Sequence, residues 1–196
     1  MKGALLIDLS KAFDSLNHQI LLSKLYHYGI RGPVNEYIKS FLQNRSLYCS
    51  FQNYNSNKVI VNSGVPQGCL LSPLLYNTYI NDLSRFIKYF CVLYADDSTL
   101  VLDAATESEL IQKMENCYIN LNKYFKDLKL CLNEQKTQFI VFRKQFNKQL
   151  HLNTHTEVTS ITASKEIKLL GILFDYNLSV NPHIAHKNLK RYITHC

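Results

Sequence analysis

Only Ala95-Asp96-Asp97 separates two apolar, β-rich runs, Phe90 to Tyr94 and Ser98 to Leu102. Three residues leave no room for a crossover helix, so the runs must pair antiparallel, as a hairpin with two carboxylates at its tip. A third acid sits in a similar place. Ala4 to Leu9 is a short apolar run that reads as a buried strand, with Asp8 at its end. Carboxylates at the ends of buried strands cost free energy unless they are paired or bind a metal. If the first strand lies beside the hairpin, Asp8, Asp96 and Asp97 converge as a cluster of like charges that repels itself. A divalent cation is then the simplest neutraliser, and hard oxygen donors select Mg²⁺, with Mn²⁺ as a substitute. Asp is also a favoured turn residue, so a solvated turn accounts for Asp96-Asp97 taken alone.

The remaining pattern mixes helices with strands. Asn17 can cap a helix through Tyr28, with Leu21, Leu25 and Tyr28 on one face and Gly29 as its stop. Gly32-Pro33 opens a second helix with Val34, Ile38 and Phe41 inward. Leu47, Cys49 and Phe51 alternate before Lys58 to Val61, which predicts a hairpin. The small-residue loop Ser63 to Gly68 lets backbone approach a ligand and leads to Ser72-Pro73, a cap and first turn for a helix to about Leu83. Thr106 and Glu109 form a capping box for the longest helix, whose stripe is Leu110, Met114, Cys117, Leu121, Phe125 and Leu128. Gln138 to Phe142 and Ile167 to Phe174 read as further strands, and a last helix starts near Pro182. The expected class is α+β, an antiparallel sheet packed on helices in one domain spanning 1–196.

Composition narrows the class of function. Lys and Arg outnumber Asp and Glu by 22 to 15, a net +7 that suits a polyanionic partner. No run approaches the ~20 apolar residues of a membrane span, and Asp8 interrupts the N-terminal apolar stretch too early for a signal peptide. The expected setting is intracellular, away from membranes. Six cysteines without a CxxC pair read as buried free thiols rather than disulfides or zinc ligands.

Taken in order, these segments resemble a known family. Leu6-Ile7-Asp8-Leu9-Ser10-Lys11-Ala12-Phe13-Asp14, then Ser63-Gly64-Val65-Pro66-Gln67-Gly68 with Leu71-Ser72-Pro73, then Tyr94-Ala95-Asp96-Asp97 resemble motifs A, B and C of the reverse transcriptase palm. Leu130-Cys131-Leu132-Asn133 with Lys136-Thr137 resembles motif D, and Lys168-Leu169-Leu170-Gly171 with Phe174-Asp175 resembles motif E. Asn17-His18, His27 to Gly32 and Ile80 to Leu83 are similar to the non-LTR retrotransposon branch (LINE, jockey-like).

The resemblance implies a polymerase palm with a ferredoxin-like core, carrying out RNA-directed DNA synthesis. It implies that Asp8, Asp96 and Asp97 hold two metal ions, Mg²⁺ or Mn²⁺, and that Lys136 protonates the departing pyrophosphate. Phe13 becomes the steric gate against a ribose 2′-hydroxyl. Pro66, Gln67 and Gly68 line the nucleotide and template pocket, and Tyr94 underlies the primer terminus. The implied partners are an RNA template, a DNA primer and deoxynucleoside triphosphates. The resemblance, and it alone, points to the nucleus.

Two departures qualify it. Asp8 lies close to the N-terminus and Cys196 follows soon after motif E, so fingers and thumb are expected to be largely missing, a palm truncated at both ends. Tyr124 and Val180 stand where relatives often carry Trp. A catalytically inactive nucleic-acid-binding remnant is therefore the alternative reading. A nucleotide cyclase is disfavoured because the acidic hairpin reads Tyr-Ala-Asp-Asp, without a Gly-Gly-Asp/Glu-Glu-Phe pattern.

Overall fold

The computed structural model describes residues 1–94, 97–146, 148–154, 160–179 and 184. Asp96, Val180, Cys196 and the helix expected near Pro182 lie outside the described residues. The chain runs through β1 (Lys2–Ile7), β2 (Leu9–Ser10), α1 (Ala12–Ser15), α2 (His18–His27) and α3 (Pro33–Leu42). Four short strands follow, β3 (Arg45–Leu47), β4 (Ser50–Phe51), β5 (Tyr54–Asn55) and β6 (Val59–Val61), then α4 (Leu71–Ile80) and α5 (Leu83–Phe86). Next come β7 (Phe90–Tyr94), β8 (Asp97–Asp103), α6 (Glu107–Asp127), β9 (Cys131–Leu132) and β10 (Gln138–Phe142). The last described strands are β11 (His151–Asn153), β12 (Ser160–Thr162), β13 (Glu166–Leu169) and β14 (Ile172–Asp175).

These elements fall into two compact units, Met1–Asp8, Ile87–Asn122 and Asn133–Cys196 in one, Leu9–Phe86 and Lys123–Leu132 in the other. The first holds a four-stranded antiparallel sheet in the order β10-β1-β8-β7. With one crossover between β1 and β7 and α6 between β8 and β10, this is ferredoxin-like strand order. On its central strands β1 and β8 the face carrying Leu5, Ile7, Leu100 and Leu102 is buried, and Phe139 and Ile140 are buried on the edge strand β10. Helix α6 lies so close to the sheet that a Cβ at Gly3 would stand 2.5 Å from Met114 Cε and 2.8 Å from the Ile140 carbonyl oxygen. Ala4, Ile140 and Ile167 form a second cluster, against which Phe142 and Phe174 pack.

The second unit is mainly helical. Asn17 caps α2, its side chain accepting from the Ile20 N–H at 3.1 Å. Leu21, Leu25, Leu42, Tyr76, Tyr79 and Phe125 are buried. Tyr79 donates its hydroxyl to the Leu128 carbonyl and accepts the Asn17 N–H, and burial raises its pKa to about 12. β2 pairs with β9, Leu9 opposite Leu132.

Several expectations shift. Ile167 to Phe174 is a hairpin, because Leu170 and Gly171 both take positive φ and reverse the chain between β13 and β14. Ser72 lies inside α4, without capping it, and donates its hydroxyl to the Pro66 carbonyl. Val34 and Tyr28 face solvent, while Leu42 joins Ile38 as a buried residue of α3. Among the described cysteines only Cys117 is buried and Cys91 half-buried, and burial pushes both thiols up, Cys117 to about 12. Cys49, Cys69 and Cys131 are exposed, since short edge strands and loops carry them. The α6 stripe from Leu110 to Leu128 is buried as the spacing predicts.

Candidate active site

In the sheet-bearing unit the acids come from neighbouring strands. β1 and β8 run antiparallel, their last pair being Ile7 opposite Ser98, so Asp8 directly follows the end of β1 and Asp97 opens β8. Tyr94 stands opposite Asp97 on β7 and is exposed. Asp8 is pinned by its backbone, whose carbonyl accepts the Asn133 N–H at 2.8 Å. Asn133 then folds the next residues into a turn, accepting the Lys136 and Thr137 N–H groups at 3.2 and 2.9 Å. That turn carries the Lys136 ammonium to 4.0 Å from Asp8 Oδ2. Lys136 is 71% exposed and Asp8 25%, so this pair holds little energy and the lysine can move.

The donor set suits a hard divalent cation. Asp8 and Asp97 carry carboxylates at the ends of adjacent strands, and Lys136 is a cation that would have to yield at Asp8. Among the described residues no third His, Cys, Asp or Glu completes a cluster with them, Asp96 lying outside that set. Glu134, which the sequence reading passed over, accepts the Tyr118 hydroxyl at 3.2 Å. Burial, with Glu134 adding to it, raises the Tyr118 phenol well above its usual range.

In the helical unit the loop Ser63 to Gly68 is laced to α1. The Gly64 and Val65 N–H groups donate to the Leu16 and Phe13 carbonyls at 2.7 and 2.8 Å. Gln67 Nε2 donates to Asp14 Oδ1 at 3.0 Å, and the Ser63 hydroxyl to the Asp14 carbonyl at 2.9 Å. The Gly64 carbonyl accepts from buried His18 Nε2 at 2.8 Å and from Arg45 Nη2 at 2.6 Å. Burial lowers the Arg45 pKa, with Cys69 opposing. Phe13 is half-buried and stacks on Tyr76, ring centroids 4.7 Å apart at 27°. Pro66 is half-buried, whereas Gln67 and Gly68 are exposed. The roles of Asp14, His18 and Arg45 had no local signal, because each acts on a loop distant in sequence.

Residues 1–174 match the family described as reverse transcriptase (RNA-dependent DNA polymerase). A Drosophila melanogaster protein named probable RNA-directed DNA polymerase from transposon BS is 28% identical over 198 residues, covering 97% of this chain and 22% of its own length. The RNA-directed DNA polymerase from mobile element jockey of the same species is 24% identical over 92% of this chain and 20% of its own. The R1 Pol polyprotein of Bradysia coprophila is 26% identical over 92% of this chain. The chain thus spans about a fifth of the length of these curated relatives. Among solved structures, telomerase from Candida tropicalis with a telomeric RNA fragment superposes with a TM-score of 0.63 at 12% identity, over 91% of this chain and 29% of the telomerase. At that identity the likeness speaks for the fold. No helix among the described residues is long and apolar enough to cross a membrane.

Proposed function

Because this chain belongs to the reverse transcriptase family, in its non-LTR retrotransposon branch, we propose that it is the palm of an RNA-directed DNA polymerase. One observation carries the reading: Asp8 and Asp97 end adjacent antiparallel strands, one pinned by Asn133 and approached by Lys136. Asp8 and Asp97, with Asp96, would hold the divalent ions, Mg²⁺ or Mn²⁺. Bound there, such ions supply charge neutralisation at the primer 3′-hydroxyl and the leaving pyrophosphate.

The chain's own residues divide the remaining work. Lys136, tethered at the Asn133 turn, gives a proton to the pyrophosphate oxygen as it departs. The Phe13 ring, stiffened by Tyr76, occupies the volume of a 2′-hydroxyl and so selects deoxynucleoside triphosphates. Gln67, its amide nitrogen bonded to Asp14, keeps its amide oxygen for the template or nucleotide beside Pro66 and Gly68. Tyr94 supports the primer end. The RNA template and DNA primer bind through positive charge, to which the net +7 contributes. The test is primer extension on an RNA template by the full-length protein. Asp96→Asn and Asp97→Asn should each remove extension, and retained synthesis in both would refute the assignment.

A further inference from the structure

Between Glu36 and Asp82 the sequence contains no carboxylate, and β3 to β6 form its exposed middle. We infer that the tip of this ribbon is a binding site for unpaired nucleic acid, with Phe51 and Tyr54 as a stacking platform and Lys58 as its phosphate contact. Gln52 and Asn53 take φ of 43° and 69°, the left-handed pair of a tight hairpin turn. That turn sets Phe51 directly opposite Tyr54 on one face. Phe51 and Tyr54 are 73% and 82% exposed. A cross-strand aromatic pair gains stability by packing, yet this one leaves most of both residues to solvent. The ribbon behind it is well made: Cys49 and Ser56 exchange hydrogen bonds at 2.9 Å, and β3 pairs with β6.

Charge selects the occupant. Arg45 is engaged by the Ser63 and Gly64 carbonyls, which leaves Lys58, exposed and beyond the turn, to meet an anion. Gln52, Asn53, Asn55 and Asn57, neighbours of the rings in sequence, carry amides, which can both donate to and accept from base edges. Aromatic faces, amides, a cation and no carboxylate are what a single strand requires. A duplex hides its base faces and could use only the cation. The inference goes beyond the polymerase reading and uses none of its residues.

The probe is a fluorescein-labelled twelve-nucleotide oligouridylate, with an RNA duplex of equal length as comparison, titrated by anisotropy. Each stacked base is worth about 5- to 150-fold in affinity. Phe51→Ala with Tyr54→Ala should therefore weaken oligouridylate binding at least about tenfold and duplex binding less than about twofold. The salt slope should stay unchanged, since stacking releases no counterions, whereas Lys58→Ala should lower it by about 0.7. The swap Phe51→Tyr with Tyr54→Phe keeps both rings and should keep the affinity. No oligouridylate binding by the parent, equal loss on single strand and duplex, or no loss would overturn the inference. So would a dimer in sedimentation that the alanine pair dissolves, which would make the tip a protein interface.

Discussion

Lys24 Nζ stands 2.6 Å from Asp82 Oδ1, joining α2 to the turn after α4. The same oxygen accepts the Tyr124 hydroxyl at 2.6 Å, and Lys24 also donates to the Tyr79 carbonyl at 2.5 Å. Burial alone would raise the Asp82 carboxyl. The Lys24 and Tyr124 hydrogen bonds and the Lys24 charge instead bring it below its usual range. The same burial and carboxylate push the Tyr124 phenol far up.

Asp82→Asn should therefore destabilise the chain by about 1–2 kcal/mol at neutral pH, the low end for a charged hydrogen bond, since Asp82 is 42% exposed. A carboxyl lowered by folding stabilises fully above its unfolded pKa and loses that contribution as pH falls through the folded one. The stability difference between parent and Asp82→Asn, from urea titrations, should therefore be constant above about pH 5 and shrink below about pH 4. Equal acid sensitivity would contradict the network.

Gly64 and Gly68 offer a paired comparison. Both have positive φ, 74° and 81°. A Cβ on Gly64 would meet the Asp14 backbone at 2.6 Å, while one on Gly68 would meet nothing within 4 Å. Gly68→Ala should cost only the left-handed backbone, about 1 kcal/mol. Gly64→Ala adds a backbone collision that must separate the loop from α1, so a loss above about 3 kcal/mol is expected in denaturant titrations.

Local chemistry explains which parts of this were legible. The α6 stripe, the Asn17 cap and the Phe90 to Leu102 hairpin each follow from periodicity or turn chemistry within one segment. Ser72 misled because a serine ahead of a proline reads as a cap, whereas its hydroxyl serves the Pro66 carbonyl of the preceding loop. Ile167 to Phe174 misled because a leucine at positive φ, Leu170, gives no turn signal. The Asp14–Gln67 and Lys24–Asp82 bonds join segments far apart in sequence, and no spacing rule reaches that distance. Asp8 was legible as an acid ending an apolar strand. Its anchor, the Asn133 N–H, was not, since Asn133 alone reads as a polar loop.

Mg²⁺ should raise the melting temperature of this chain, because ions binding only the folded state stabilise it by RT ln(1 + [L]/Kd). At a concentration of about 100 Kd that is about 2.7 kcal/mol. Asp8→Asn or Asp96→Asn should remove most of the gain in a thermal scan, and an undiminished response would place the ion elsewhere.

Phe13 stacks on Tyr76 and is half-buried, so Phe13→Val opens space without dismantling the loop contacts, which run through its backbone carbonyl. In the full-length protein, incorporation of ribonucleotides relative to deoxynucleotides should rise at least about tenfold. Unchanged discrimination would leave the ring as core packing.

Lys136 separates charge from proton transfer. Its ammonium is 4.0 Å from Asp8 Oδ2 and competes with any cation there. Lys136→Ala should thus tighten Mg²⁺ binding slightly, by no more than about fivefold for so exposed a pair. Losing a general acid should meanwhile slow turnover by about 10²–10⁴. Lys136→Arg tells the roles apart, because arginine restores the charge but keeps its proton. If Lys136 donates to the pyrophosphate, the arginine variant should recover KM for the nucleotide and leave kcat low in single-turnover extension. If charge is its whole contribution, both parameters should return together.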